Sequence, residues 1–110
     1  MIPVSRKFPL RTEFLSFRRR AKRLVGPHTN IYHLGSNSST RMAVIVPKKV
    51  NSRSATRNWL RRLTYDTLWP QIEDKNLDCV VVYKPLSLIK SSTTKAQIVS
   101  ILKSLEFNKA

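Results

Sequence analysis

The sequence is poor in the residues on which several classes of protein depend. Its only cysteine, Cys79, cannot form the internal disulfides that stabilise small secreted proteins. Its two glycines, Gly26 and Gly35, are too few for a glycine-rich phosphate loop. It contains no apolar run of transmembrane length and no signal-type apolar stretch after Lys7. Together these features predict a cytoplasmic protein without a membrane span.

Acidic residues are also scarce. The chain has 6 aspartates and glutamates against 21 lysines and arginines, which gives a formal net charge of +15. Between Phe14 and Tyr65 no acidic residue occurs, whereas the same stretch holds twelve basic ones. A basic surplus concentrated in one half of the chain indicates a polyanionic partner, and phosphate is the expected target.

The length and the apolar content suit a single domain that spans residues 1–110. A chain of this size buries roughly two-thirds of its unfolded surface. The apolar fraction of 41% is sufficient for one hydrophobic core, and no repeat or linker divides the sequence.

The spacing of apolar residues predicts the element order α-β-β-α-β-α, an α+β sandwich with a small sheet. The predicted elements are an extended arm over 1–10, a helix over 13–24 capped by Thr12, strands over 28–34 and 41–47, a helix that begins after a cap at Asn51 or Ser52 and ends at Trp69-Pro70, a strand over 78–84, and a helix capped by Ser92 or Thr93. We expect the first two strands to form a hairpin or an adjacent antiparallel pair.

The stretch from Val50 to Tyr65 separates into two faces when it is placed on a helix. The polar face holds Arg53, Ser54, Arg57, Asn58, Arg61, Arg62 and Tyr65, and the opposite face holds Ala55, Trp59, Leu60, Leu63 and Thr67. No acidic residue neutralises the arginine row, so its charges repel one another unless a polyanion binds. Lys48 and Lys49 come just before the helix N-terminus, which is a favoured position for phosphate.

Aromatic residues lie among the arginines in the first part of the chain. Phe14 and Phe17 fall on the first predicted helix and Tyr32 on the first predicted strand. Rings beside cations suit single-stranded nucleic acid, because bases stack on the rings while the cations contact the backbone. Ordinary core packing is an equally open alternative for the two phenylalanines. For Tyr32, the fold decides whether its face of the strand is exposed.

Residues that could carry catalysis are few. His28 and His33 have no neighbouring carboxylate or cysteine that would complete a metal site, and no serine or threonine has a plausible histidine–acid pair. The sequence therefore predicts neither catalytic residues nor a metal site in the protein itself.

Lys48-Lys49 and the series Arg57-Asn58-x-x-Arg61-Arg62 resemble the protein subunit of bacterial ribonuclease P. That family has a Lys-Lys pair at a strand end, followed by a helix with Arg-Asn-x-x-Lys-Arg. The resemblance extends along nearly the whole chain, through Glu13-Phe14, Gly26-Pro27, the strand that contains Tyr32, and the run from Asp78 to Pro85.

The resemblance implies a fold and a function. The fold would be a four-stranded sheet packed by three helices, with a left-handed β-α-β crossover, as in the second domain of ribosomal protein S5. The general preference for right-handed crossovers would have argued against that hand. The function would be that of a protein cofactor that binds a catalytic RNA and the 5′ leader of precursor tRNA, without an organic cofactor, while the RNA with Mg²⁺ removes the leader. One monomer would bind each RNA.

The resemblance also assigns residues to two sites. RNA-binding positions on the catalytic RNA would be Lys48, Lys49, Arg53, Arg57, Asn58, Arg61 and Arg62, of which Arg53 rests on the arginine row alone. The cleft for the leader would hold Phe14, Phe17, Arg18, Tyr32 and Tyr65. Arg18 stands where the family has a second cleft phenylalanine, and Tyr65 replaces a frequent arginine. Trp59 also replaces an arginine, and we expect it to pack against the core.

Three other functions are alternatives. A ribosomal protein would bind RNA with a similar charge and plan but would not affect tRNA processing. A protein-only nuclease would depend on a carboxylate or histidine such as His28, His33, Glu13 or Asp66. A membrane-surface peptide is disfavoured, because the apolar strand runs require a globular core.

Overall fold

Seven helices and strands follow one another in the computed structural model, which describes residues 6–105. In chain order they are α1 (Leu10–Arg20), β1 (Lys22–Val25), β2 (Thr29–Gly35), β3 (Arg41–Ile45), α2 (Ser54–Ile72), β4 (Leu77–Tyr83) and α3 (Ser92–Ser104). The α+β class, the three helices and the four-stranded sheet are confirmed.

The strands form one mixed sheet in the order β1-β2-β4-β3. β2 is antiparallel to both of its neighbours, whereas β3 and β4 are parallel and are joined through α2. The predicted pairing of residues 28–34 with 41–47 is wrong, because β4 lies between these two strands. The β-α-β crossover is present, and its left hand stays a prediction from the resemblance.

β1 is the strand that the apolar pattern missed. Helix α1 ends at Arg20 and Ala21 is extended, so the predicted helix to Leu24 is four residues too long. Leu24 instead pairs with Ile31 across a hairpin, in which Gly26 N–H donates to the Thr29 carbonyl over 2.8 Å. A four-residue edge strand is too short to show alternation, and its pairing with β2 decides its conformation.

The helix ends also differ from the predictions. α1 begins after Pro9, not after a Thr12 cap. α2 begins after Arg53, whose N–H donates to the Asn51 side chain, so neither Asn51 nor Ser52 is the N-cap. In α3, the cap is Ser91, whose hydroxyl accepts from Thr94 N–H over 3.1 Å.

Pro70 lies inside α2 and does not end it, because the helix continues to Ile72. Pro70 is exposed, while Leu68 and Ile72 on either side of it are fully buried. Packing of this last turn therefore offsets the backbone hydrogen bond that proline cannot donate.

The main core lies between the sheet and the helices α2 and α3. Helix α2 contributes buried residues at intervals of four: Thr56, Leu60, Thr64, Leu68 and Ile72. Trp59 packs against this core as predicted, whereas Ala55, which the wheel placed on the apolar face, is exposed. From β4, the residues Cys79, Val81 and Tyr83 point to this side.

A second, smaller core lies on the opposite face of the sheet, beneath α1. Its buried members are Phe8, Phe17, Tyr32, Ala43 and Val80. Phe17 is the one fully buried residue of α1. This face is therefore only partly covered by its helix.

Of the extended arm predicted over 1–10, residues 7–9 precede the first helix, whereas Leu10 already belongs to α1. Lys7 pairs with Met42 on the outer edge of β3, and Phe8 N–H donates to the Met42 carbonyl over 3.1 Å. Arg6 donates to the Thr40 and Glu73 carbonyls. The first five residues of the predicted arm lie outside the described part of the chain.

A buried hydroxyl pair links α2 to the central strand β4. Thr64 Oγ1 donates to the Leu60 carbonyl over 2.7 Å and lies 2.7 Å from the Tyr83 hydroxyl. Because the single threonine proton goes to Leu60, Tyr83 is the donor to Thr64. Burial raises the pKa of Tyr83, and this hydrogen bond opposes that rise.

This donor assignment predicts unequal effects for two nearly isosteric substitutions. Tyr83→Phe removes the donor and leaves Thr64 satisfied, so it should lower the unfolding free energy by about 1 kcal/mol. Thr64→Val strands the tyrosine hydroxyl in the core and should cost about 2–3 kcal/mol. Urea denaturation of both variants measures the difference, and equal losses would contradict the assignment.

Candidate nucleic-acid interface

The first basic surface, which we call the α2 surface, is formed by the segment before α2 and the first turns of that helix. Its exposed members are Lys48, Lys49, Arg53, Asn58 and Arg62, and its half-buried members are Arg57 and Arg61. The first turn of α2 carries no acidic residue, and Arg53 provides no side-chain cap. The helix N-terminus therefore adds its positive dipole end to the basic side chains, an arrangement that suits phosphate.

Arg57 also stabilises the loop that precedes α2. Its Nη1 donates to the carbonyls of Asn51 and Ser52, each over 2.9 Å. Asn51 in turn donates to the Leu88 carbonyl over 3.0 Å. Arg57 thus holds the loop that carries the lysines against the helix. The guanidinium of Arg61 similarly donates to the Asn58 side chain.

The second candidate site is on the face of the sheet beneath α1, and we call it the cleft. Half-buried Phe14 meets Tyr32 edge to face, with ring centroids 6.0 Å apart at 85°. The Arg18 guanidinium lies 5.8 Å from the centre of the Tyr32 ring. An aromatic pair with a stacked cation is the combination that single-stranded nucleic acid uses.

Beyond Tyr32, one row of the same sheet face is not covered by α1. The strand register aligns Val25 with Asn30, Asn30 with Val82, and Val82 with Ile45, so all four side chains share this face. Val25 is 63% exposed and the other three are half-buried. This open row gives the cleft an accessible apolar floor.

The structure does not bring all of the predicted cleft residues together. Phe14, Arg18 and Tyr32 meet as described, and the Tyr32 ring itself is buried in the smaller core, at 7% exposure. Phe17 is 2% exposed and packs on Phe8, with 4.7 Å between ring centroids, so it is part of the core. Tyr65 packs against the main core on the opposite side of the sheet. Burial raises the pKa of Tyr65, and a hydrogen bond with the Val44 backbone opposes that rise.

The sequence patterns missed two residues of the cleft. Arg23 is exposed beside Tyr32, its register partner, and Asn30 lies in the open row. Arg23 was missed because the helix predicted over 13–24 covers it, whereas Asn30 lies on a predicted strand and only the sheet register places it in the open row. The Gly26-Pro27 turn after Lys22–Val25 was the available signal for a hairpin that would place these residues on one face.

Most of the positive charge is not neutralised within the chain. Over residues 6–105, the ion pairs found in the structure are those of Arg41 with Glu13 and Asp78. The other lysines and arginines of that range therefore keep their charge available to a polyanion.

The titratable side chains His33 and Cys79 lie in the interior of the described chain. No three histidine, cysteine or acidic side chains among residues 6–105 come together as a metal site. Burial and the nearby charge of Lys22 lower the pKa of His33, so it is neutral at pH 7. Burial raises the pKa of Cys79 to about 12, which makes its thiol unreactive. No helix in the described range is long and apolar enough to cross a membrane.

Comparison with known proteins identifies the family. The model of the ribonuclease P family matches residues 2–106. The chain belongs to this family. The resemblance based on Lys48-Lys49 and Arg57-Asn58 is thereby confirmed, and the ribonuclease P protein is an RNA-binding subunit in tRNA processing.

Solved ribonuclease P proteins share the fold. A mutant of the Staphylococcus aureus protein aligns with a TM-score of 0.72 and 13% identity, covering 90% of this chain and 83% of that one. The Thermotoga maritima protein aligns with a TM-score of 0.67 and 21% identity, covering 92% of this chain and 98% of that one. Among curated protein sequences, none matches this chain.

The two phenylalanines of α1 should respond differently to truncation. Phe17→Ala empties a fully buried site and should lower the unfolding free energy by about 3–5 kcal/mol. Phe14→Ala removes a half-buried ring and its contact with Tyr32, and should cost about 1–2 kcal/mol. Chemical denaturation of each variant tests this order, and a larger loss for Phe14→Ala would contradict the assignment of Phe17 to the core.

Proposed function

We propose that this ribonuclease P protein is the cofactor that binds the catalytic RNA through its α2 surface and the 5′ leader of precursor tRNA in its cleft. The RNA cleaves the phosphodiester bond, and the protein raises substrate affinity. The observation that carries the proposal is the group formed by Tyr32, Phe14 and Arg18, beside an open row on the sheet face.

The two surfaces meet at the end of β3. Ile45 closes the open row, and Lys48 and Lys49 follow it into the α2 surface. A leader in the cleft would thus lie next to RNA bound by α2. This adjacency supports a single protein bridging the substrate and the catalytic RNA.

Magnesium belongs to the RNA in this proposal. The described part of the chain brings together no set of three candidate ligands for a metal ion, and two of its five carboxylates, Glu13 and Asp78, are paired with Arg41. The protein residues therefore do not fit a Mg²⁺ site, and the protein's contribution is to position RNA. A cytoplasmic location and one monomer per RNA stay predictions.

Cleavage of precursor tRNA at low magnesium tests the proposal directly. The matching catalytic RNA, the protein, and the mixture are assayed separately, and stimulation is expected only in the mixture. Arg62→Ala should weaken assembly by about fivefold, equivalent to roughly 1 kcal/mol of lost phosphate attraction. Lys103→Ala removes the same charge near the C-terminal end of α3, where the adjacent Leu102 meets Gln71 at the far end of α2, and should have little effect.

Other outcomes would contradict the proposal. Absence of stimulation would favour the ribosomal alternative, in which the protein sediments with ribosomal subunits. Cleavage by the protein alone would favour a protein-only nuclease.

Salt dependence provides a second test of the α2 surface. If the protein neutralises about six phosphates, the log–log slope of affinity against salt should be near −5. Arg62→Ala should reduce the magnitude of that slope by about 1, and Lys103→Ala should leave it unchanged. A flat response in the unmodified protein would exclude this electrostatic account.

A further inference from the structure

Arg41 binds two carboxylates from two other elements. From β3, its Nε and Nη2 donate to Asp78 on β4 over 2.9 and 3.0 Å. Its Nη1 and Nη2 donate to Glu13 on α1, each over 3.2 Å. The guanidinium also lies 5.1 Å from the centre of the Phe8 ring. One side chain therefore joins the sheet, α1 and the N-terminal arm.

This cluster adds to a weak attachment of α1. Phe17 is the one buried residue of that helix, so few apolar contacts hold it on the sheet. The bidentate bond from Arg41 fixes the helix at Glu13, directly before Phe14. The hydrogen bonds to Asp78 raise the pKa of Arg41 most, and those to Glu13 raise it further. The guanidinium therefore stays charged.

The charge of Glu13 makes its position informative. Its side chain is 48% exposed at the wall of a cleft that we propose for a polyanion, where a carboxylate repels phosphate. If Glu13 had no structural contact here, its negative charge would only lower the affinity for RNA. Glu13 instead completes the contact that orients the wall carrying Phe14 and Arg18.

We propose that Glu13 is a positioning residue, which holds α1 through Arg41 so that Phe14 and Arg18 face Tyr32 in the geometry that accepts the single-stranded leader. This inference rests on the proposed function of the cleft. By positioning α1, Glu13 would raise the affinity for the leader, whereas its negative charge by itself would lower that affinity.

Glu13→Gln separates the two effects. By charge alone, loss of one carboxylate should leave RNA affinity unchanged or make it tighter. If Glu13 positions α1, the substitution weakens its ion pair with Arg41. The gain in affinity that a long leader gives over a short one should then fall about fivefold, which is the size expected for a partly exposed ion pair. The measurement is the affinity of the assembled ribonucleoprotein for long-leader and short-leader precursor tRNA.

Glu73→Gln is the matched control, because it makes the same chemical change on an exposed side chain after α2. It should leave the leader-dependent gain unchanged. Affinity for the short-leader substrate should be the same in both variants, which a general loss of folding would not produce. Glu13→Ala, with its unfolding midpoint measured, should repeat the loss.

Each result decides between the proposals. If Glu13→Gln behaves like Glu73→Gln, the positioning role is overturned while the cleft proposal stands. If the unmodified protein gives no leader-dependent gain, the cleft proposal fails and the positioning role fails with it.

Discussion

Strand β4 is the element on which the rest of the structure depends. It pairs with β2 on one side and β3 on the other, and it is apolar on both faces. Cys79, Val81 and Tyr83 bind α2 and α3 to one face, while Val80 forms the floor under α1. Because a strand alternates its side chains, this one run of residues creates two cores and separates the helices.

The unequal size of the two cores explains where the candidate sites lie. The main core uses two helices and closes its face of the sheet, so α2 can expose only its outer side and its N-terminal end. The smaller core uses one helix of eleven residues, which leaves the row from Val25 to Ile45 open. Incomplete coverage of the second face therefore leaves an accessible surface, where we propose that the leader binds.

Charge has a different role in each part of the molecule. In the cluster around Arg41, both signs are present, and the ion pairs hold α1 to the sheet. Along the α2 surface no arginine forms an ion pair with a described residue, and Arg57 is held by backbone carbonyls of the preceding loop. The first arrangement stabilises the folded chain by itself, whereas the second repels itself until a polyanion is bound.

The sequence by itself determined the α+β class, the buried run of β4, the basic character of α2 and the family. The first three follow from local composition and from the spacing of residues along each element, and the family from the resemblance at Lys48-Lys49 and Arg57-Asn58. The tertiary structure alone decided that β4 separates β2 from β3, that Lys22–Val25 is a strand, and that Tyr65 lies across the sheet from Tyr32. Such features depend on pairing and packing between distant segments, which periodicity within one segment does not encode.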